Sequence, residues 1–320
     1  MNEIAVVGAG AWGTALALQA VRAGNHVALV TRDEASASSI ADKRENPRLP
    51  GCRLPDALEL RSDIPANAQL LLWTVPTQHL RSSLSHLRPV GRAIVVCAKG
   101  LEAATHLLPL EVVSDVSPTH RLAILTGPNF AHEVAKGLPA ATVVASTDAG
   151  LREQVRVMLG TNTFRLYGND DPIGAQLGGA AKNVIAIAAG AVIGRGLGEN
   201  GRAALVTRGL SELCRLAIAL GGRAETIMGL SGLGDLLLTC TGPSSRNFSL
   251  GCALGRGESL SKILAGRSAV TEGVATAAAL VARAGRVDLP ICHAVADLLA
   301  GVMTLDQAIE QLMSRPQRDE

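Results

Sequence analysis

The first half of the chain alternates short apolar runs with helical stretches. The runs Ile4–Val7, Val27–Thr31, Gln69–Val75, Ala93–Ala98, Leu122–Leu125 and Ala141–Ala145 are four to seven residues long and mostly Val, Ile and Leu. Runs of that kind fit strands of a parallel sheet buried on both faces. Gly13–Ala23 is a helical segment between the first two. This βαβ rhythm predicts a doubly wound sheet. Pro47, Pro50 and Pro55, with Gly51, mark a loop after the second unit. Beyond Tyr167–Pro172 strand-like runs nearly vanish. Segments rich in Ala, Leu, Ile and Gly follow at Ile173–Ile193, Ala203–Leu220, Ser245–Leu254, Glu272–Ala284 and Pro290–Leu299. Thr304 and Gln307 have capping-box spacing before a last helix. The pattern predicts an α/β protein with a domain over residues 1–168 and an all-α domain over 169–320.

Composition narrows the class. The chain has 320 residues, 48% hydrophobic and 18% charged, enough for two domains with large cores. A net charge of +2, 2% aromatic residues and no basic run with interleaved aromatics argue against a nucleic-acid partner. Six scattered cysteines form no C-x-x-C pair, as expected for buried thiols in a reducing compartment. The histidines are dispersed, and "HEVAK" at His132 lacks the second histidine of a zinc helix, so no metal site is expected. The N-terminal "NEIAVV" reads as a strand rather than a targeting segment. The longest uncharged apolar run, Val184–Gly194, is about half the length of a membrane span. A soluble, cytoplasmic protein without a membrane span is expected.

"GAGAWG", Gly8–Gly13, sits after the first strand and opens a helix, the context that a dinucleotide-binding loop requires. Gly8 permits the tight turn, Gly10 lets the backbone approach a pyrophosphate, and Gly13 lets helix and strand pack closely. The helix N-terminus adds unpaired N–H groups for the phosphates. This predicts a Rossmann-type N-terminal domain. Cofactor choice is set near the end of the second strand, where an acid receives a ribose 2′-hydroxyl and an arginine a 2′-phosphate. Arg32 and Asp33 stand there side by side, and either is also a plausible surface charge. The reading leans to NADP, with NAD as a second cofactor. Thr74–Pro76 and Lys99 end further strands, the side of an open α/β sheet where ligands collect.

In "GGAAKNVIAIAAGAVIG", Lys182 is the one charge in seventeen residues. On a helix it lies over Gly178 and Gly179. Two readings follow: a close helix contact with a snorkelling lysine, or a gap that admits a ligand to an ammonium tuned for acid–base work. In "GLSGLGDLLLTCTG", Asp235 among Gly and Leu is either a helix cap or a buried acid in need of a partner such as lysine. In "TGPSSRNFSLG", Ser244 or Ser245 caps a helix whose first turn holds Arg246 and Asn247. An arginine is unfavourable beside a helix N-terminus unless an anion binds there.

Taken together, "GAGAWGTALA", "CAKG", "TGPNFAHEVA", "LGGAAKNVIAIAAG", "GLSGLGDLLLTCTGPSSRN" and "TEGV" resemble the bacterial NAD(P)-dependent glycerol-3-phosphate dehydrogenases over essentially the whole chain. The resemblance implies reversible hydride transfer between dihydroxyacetone phosphate and sn-glycerol 3-phosphate, a step that supplies the glycerophospholipid backbone. It implies that Lys182 is the proton acceptor in the oxidation, with Lys99 and Asp235 supporting it. By the same resemblance, Lys99, Gly127, Asn129, Lys182, Asp235, Ser245, Arg246 and Asn247 contact substrate. Gly8, Gly10, Trp12, Gly13, Arg32, Asp33, Lys99, Ala131, Arg246, Val270 and Glu272 belong to the cofactor site, and the enzyme is a homodimer. The glycines before Lys182 then read as space for substrate. Asn129 replaces the Ser or Thr usual in that motif, and Asp33 follows Arg32 where a basic or neutral residue is usual. Two rivals fit parts of the pattern: a β-hydroxyacid dehydrogenase acting on a carboxylate, and a non-catalytic NADP-binding sensor.

Overall fold

The computed structural model describes residues 3–85, 91–267 and 271–316. The chain divides into two compact units, Met1–Lys99 with Pro109–Ala175, and Gly100–Leu108 with Gln176–Glu320.

The first unit is built on β1 (Glu3–Val7), α1 (Ala11–Arg22), β2 (His26–Val30), α2 (Glu34–Lys43), β3 (Leu58–Arg61), β4 (Leu70–Trp73), α3 (Thr77–Leu84), β5 (Ala93–Val96), α4 (Pro109–Val116), β6 (Arg121–Thr126), α5 (Ala131–Ala135), β7 (Ala140–Ala145), α6 (Ala149–Leu159) and β8 (Phe164–Asn169). The strands form one sheet in the order β3-β2-β1-β4-β5-β6-β7-β8. All neighbours are parallel except β6 and β7, so the last two strands run opposite to the first six. Strands β4 and β5 are wholly buried and purely apolar or nearly so, as a central parallel strand should be. The strand order reverses between β1 and β4, which opens a crevice beyond their carboxyl ends. The doubly wound sheet is as predicted. Strands β3 and β8 were not: they form the two edges, and their half-exposed faces break the apolar runs that betray the other six.

The second unit is helical: α7 (Pro172–Gly194), α8 (Gly198–Ala219), α9 (Ala224–Met228), a π turn over Leu230–Gly234, α10 (Asp235–Cys240), α11 (Arg246–Gly255), α12 (Leu260–Ala265), α13 (Glu272–Ala284), α14 (Pro290–Leu299) and α15 (Leu305–Met313). Helix α7 begins at the end of the first unit and continues into the second. By length and composition it is apolar enough to cross a membrane, yet 89% of its most apolar window is buried in the protein. Its glycines explain how neighbours get close. A methyl group at Gly190 would fall 2.1 Å from the Phe248 carbonyl oxygen, and one at Gly194 2.2 Å from that of Cys252, both on α11. Gly251 of α11 answers with a carbonyl of α7, Ile187, at 2.0 Å from the same imagined methyl. The α15 capping box is present as predicted, with Thr304 and Gln307 exchanging side-chain-to-backbone bonds.

Candidate active site

The glycine loop joins β1 to α1. Gly8 has φ of +109°, which favours glycine, and any Cβ there would meet the Thr74 hydroxyl at 2.8 Å. A Cβ on Gly13 would strike the Gly8 carbonyl at 2.0 Å, so only glycine lets α1 start so close to the strand. Among the described residues nothing lies within 4 Å of a Cβ built on Gly10. Closed behind and open at Gly10, the loop fits a pyrophosphate laid against backbone amides at a helix start. The Thr74 hydroxyl donates to the carbonyls of Val7 (2.9 Å) and Gly8 (2.7 Å), tying the end of β4 to the loop. Trp12, in the first turn of α1, packs against the core of this unit.

Arg32 and Asp33 follow β2. The Arg32 side chain is 89% exposed and contacts Asp33 at 3.2 Å. Asp33 is also the N-cap of α2, its Oδ1 accepting the Ser36 amide at 2.8 Å. That bond, first, and then Arg32 hold the Asp33 carboxyl below its usual range. Asp33 therefore has two structural engagements, and the exposed guanidinium is the more available of the pair.

Lys99 follows β5, and its ammonium donates to the Gly127 carbonyl at 3.1 Å. Gly127 has φ of +155° and faces the Thr142 backbone closely. Two residues on, the Asn129 amide nitrogen donates to the Ala141 carbonyl at 2.9 Å. Its Oδ1 therefore turns the other way, buried and without a hydrogen-bond partner among the described residues. Ala131 begins α5 directly after this loop.

Lys182, on α7, is 7% exposed. It does not snorkel. Its ammonium contacts the Asp235 carboxylate and donates to the Thr239 hydroxyl at 2.9 Å. Asp235 opens α10 and has no exposed surface. Thr239, one turn later, passes its own proton back to the Asp235 carbonyl at 2.6 Å. Gly178 explains how Asp235 arrives: a methyl group there would lie 2.5 Å from the Ser231 carbonyl oxygen in the π turn. The structure thus corrects the expectation that this glycine leaves room for substrate. The space at Gly178 is filled by backbone, and the close contact delivers the carboxylate one helical turn away, at Lys182. Thr239 escaped sequence reasoning, although its position four residues after Asp235 on a helix was a usable signal.

Ser245 caps α11, its hydroxyl accepting the Phe248 amide at 3.2 Å. Arg246 is exposed in the first turn. Arg267 donates to the Arg246 carbonyl (2.7 Å) and the Ser249 hydroxyl (3.0 Å). Burial and then the Arg246 charge lower the Arg267 pKa, so two cations share this helix start. Asn247 is buried and engaged at both amide atoms, donating to Asn183 Oδ1 at 2.9 Å and accepting the Gly273 amide at 3.1 Å. It thereby ties the start of α11 to the residue after Lys182 and to α13, where Glu272 is the first residue. Val270 lies outside the described residues.

Comparison with known proteins shows the family of the chain. Residues 3–152 match the model of the NAD-dependent glycerol-3-phosphate dehydrogenase N-terminus, and residues 171–310 that of its C-terminus. A glycerol-3-phosphate dehydrogenase [NAD(P)+] of Acidiphilium cryptum is 53% identical over 320 residues, covering 99% of this chain and 98% of the relative. One from Bradyrhizobium sp. (strain BTAi1) is 52% identical, covering 98% and 97%. Among solved structures, the glycerol-3-phosphate dehydrogenase of Coxiella burnetii superposes with a TM-score of 0.93 at 35% identity, covering 98% of this chain and 99% of the other.

Proposed function

This chain belongs to the NAD-dependent glycerol-3-phosphate dehydrogenase family, and from that premise we infer how its residues interconvert dihydroxyacetone phosphate and sn-glycerol 3-phosphate. The reaction supplies the backbone of glycerophospholipids. NAD(P)H, held at the Gly8–Gly13 loop when bound, would supply the hydride for the ketone carbon. Lys182 gives the carbonyl oxygen its proton in the reduction and takes it back in the oxidation. Asp235 and Thr239 fix the ammonium so that proton transfer needs no reorientation. Lys99, anchored on Gly127, contacts both substrate and cofactor. Asn129 offers its buried Oδ1 as an acceptor for a substrate hydroxyl, with Gly127 lining the same place. Arg246 and the start of α11, capped by Ser245, hold the substrate phosphate, whose binding energy orients the ketone. Asn247 keeps that helix start in register with α7, and Arg246 also reaches the cofactor.

On the cofactor side, Gly8, Gly10 and Gly13 shape the pyrophosphate loop, with Trp12, Ala131, Val270 and Glu272 as further contacts. Arg32 favours the 2′-phosphate of NADPH over NADH, since Asp33 is partly engaged as a cap. The enzyme works as a cytoplasmic homodimer: the family resemblance supports the homodimer, and six cysteines that are free thiols support a reducing compartment.

The observation that carries this reading is the buried lysine–carboxylate–hydroxyl cluster on α7 and α10. The test is nicotinamide absorbance with dihydroxyacetone phosphate against 3-oxo acids. Turnover of the phosphate ester alone is expected. Preference for a 3-oxo acid, or binding of NADPH without turnover of either, would overturn it.

A further inference from the structure

The loop between α2 and β3 is marked in the sequence by its prolines and Gly51. It carries Asn46, which is 1% exposed. The Asn46 amide nitrogen donates to the Ala9 carbonyl at 3.1 Å and to the Thr14 hydroxyl at 2.8 Å. Its Oδ1 accepts the Arg48 amide at 3.0 Å. Donors and acceptor are thus each matched, and the orientation of the amide is fixed by its partners. Leu49, Cys52 and Leu54 anchor the loop in the core, and the Leu54 amide bonds back to the Arg44 carbonyl at 2.8 Å.

Ala9 lies between the first two glycines of the pyrophosphate loop. In a trans peptide the N–H of Gly10 points opposite to the carbonyl of Ala9. Drawing that carbonyl inward aims the Gly10 amide away from Asn46, and a Cβ built on Gly10 would meet nothing within 4 Å among the described residues. Thr74 does the same one peptide earlier, since its hydroxyl holds the Gly8 carbonyl. The Gly10 carbonyl is used by the Thr14 amide at 2.9 Å. Without Asn46 the Ala9–Gly10 peptide has glycine on one side and no side-chain restraint, so it rotates easily.

We propose that Asn46 is a positioning residue for cofactor binding: it locks the Ala9–Gly10 peptide with its N–H toward the pyrophosphate, through Ala9 and Thr14. The proposal rests on the dinucleotide reading of the loop. Asn46 itself touches no phosphate.

The test uses Asn46→Asp, the same shape without the donors, and Asn46→Ala. Binding is measured by calorimetry with two probes, NADPH and adenosine 2′-monophosphate, which has the adenosine end but no pyrophosphate. NADPH affinity is expected to fall by about tenfold or more, the loss of one aimed donor to a charged group. Affinity for adenosine 2′-monophosphate should stay within about twofold of wild type, and so should kcat at saturating NADPH. Unchanged NADPH affinity in a folded variant overturns the proposal. Equal losses for both probes overturn it too, because Asn46 would then support the whole domain. If the wild type binds no dinucleotide, the cofactor reading itself has failed, which is a separate result.

Discussion

Lys182→Met removes the ammonium and keeps most of the buried stem. Judged on the helix alone the change is mild, because lysine and methionine have similar helix propensities. The structure reverses that judgement. Asp235 has no exposed surface, and its carboxylate faces the ammonium. Removing one member of a buried ion pair strands the other, at about 3–5 kcal/mol. That is about two to four powers of ten in the folded-to-unfolded ratio, or on the order of 10 °C in Tm. Lys182→Met with Asp235→Leu removes both charges and should recover most of the loss. Activity obeys a different rule. Loss of a positioned proton donor lowers kcat by about 10²–10⁴, and the double variant should stay as inactive as the single one. Lys182→Arg keeps a cation beside Asp235 and so much of the stability, but a guanidinium does not release a proton near neutral pH, so kcat stays low. Urea unfolding followed by circular dichroism gives the stability, and NADPH consumption with dihydroxyacetone phosphate gives kcat. A folded, NADPH-binding Lys182→Met protein with near wild-type kcat would refute the acid–base role. Equal stability of the single and double variants would refute the stranded-charge argument.

Arg246→Ala should lower kcat/KM for dihydroxyacetone phosphate at least about tenfold and hurt dihydroxyacetone much less; equal losses would place Arg246 in a structural role. Arg32→Ala should weaken NADPH more than NADH, while Asp33→Asn, which keeps the α2 cap, should shift the ratio towards NADPH with Tm unchanged; a fixed ratio in both variants would deny the 2′-phosphate contact. Asn129→Ala should lower kcat/KM for dihydroxyacetone phosphate and leave hydroxyacetone phosphate, which lacks the terminal hydroxyl, nearly unaffected; parallel losses would show that Oδ1 does not receive that hydroxyl. Glu212 accepts the Ile291 and Cys292 amides at 2.7 and 3.1 Å at the start of α14, and its burial raises the carboxyl pKa. The folded state then holds this proton more tightly than the unfolded one, so Glu212's contribution is full below about pH 4.3 and declines as pH rises through the raised folded value. Subtracting the urea stability of Glu212→Gln from that of wild type should leave a difference that falls over this window; a flat difference would contradict the burial argument.

The parts of the fold that burial dictates were legible in the chain. Six buried strands read as unbroken apolar runs, and the long helices read from their composition and breaks. The edge strands β3 and β8 did not, since each has a solvent face that dilutes its apolar pattern. Lys182 and Asp235 were each conspicuous as a charge among apolar residues, and a buried charge must find its opposite. What those positions could not give was the reason for the glycines. Gly178 looks the same in sequence whether it leaves a gap for substrate or a gap for the Ser231 backbone. Thr239 and Asn183 were hidden for another reason: a hydroxyl or an amide is unremarkable anywhere, and only the distances to Lys182 and Asn247 give them a part. Asn46 lies on a loop some thirty-seven residues from the carbonyl it holds, and no local pattern encodes such a pairing.

Helix α7 also decides how this protein fails. It carries 23 residues with a single ammonium, and in the native state it is covered by the helices around it. A variant that loosens those helices uncovers a stretch about 34 Å long with almost no charge to keep neighbouring chains apart. Such a segment seeks another apolar surface faster than it recovers its own. Damage to the helical unit should therefore appear as insoluble protein and poor recovery after heating rather than as a soluble, sluggish enzyme. A screen that scores activity in clarified extracts would confuse the two, and loss of catalysis would look the same as loss of the protein.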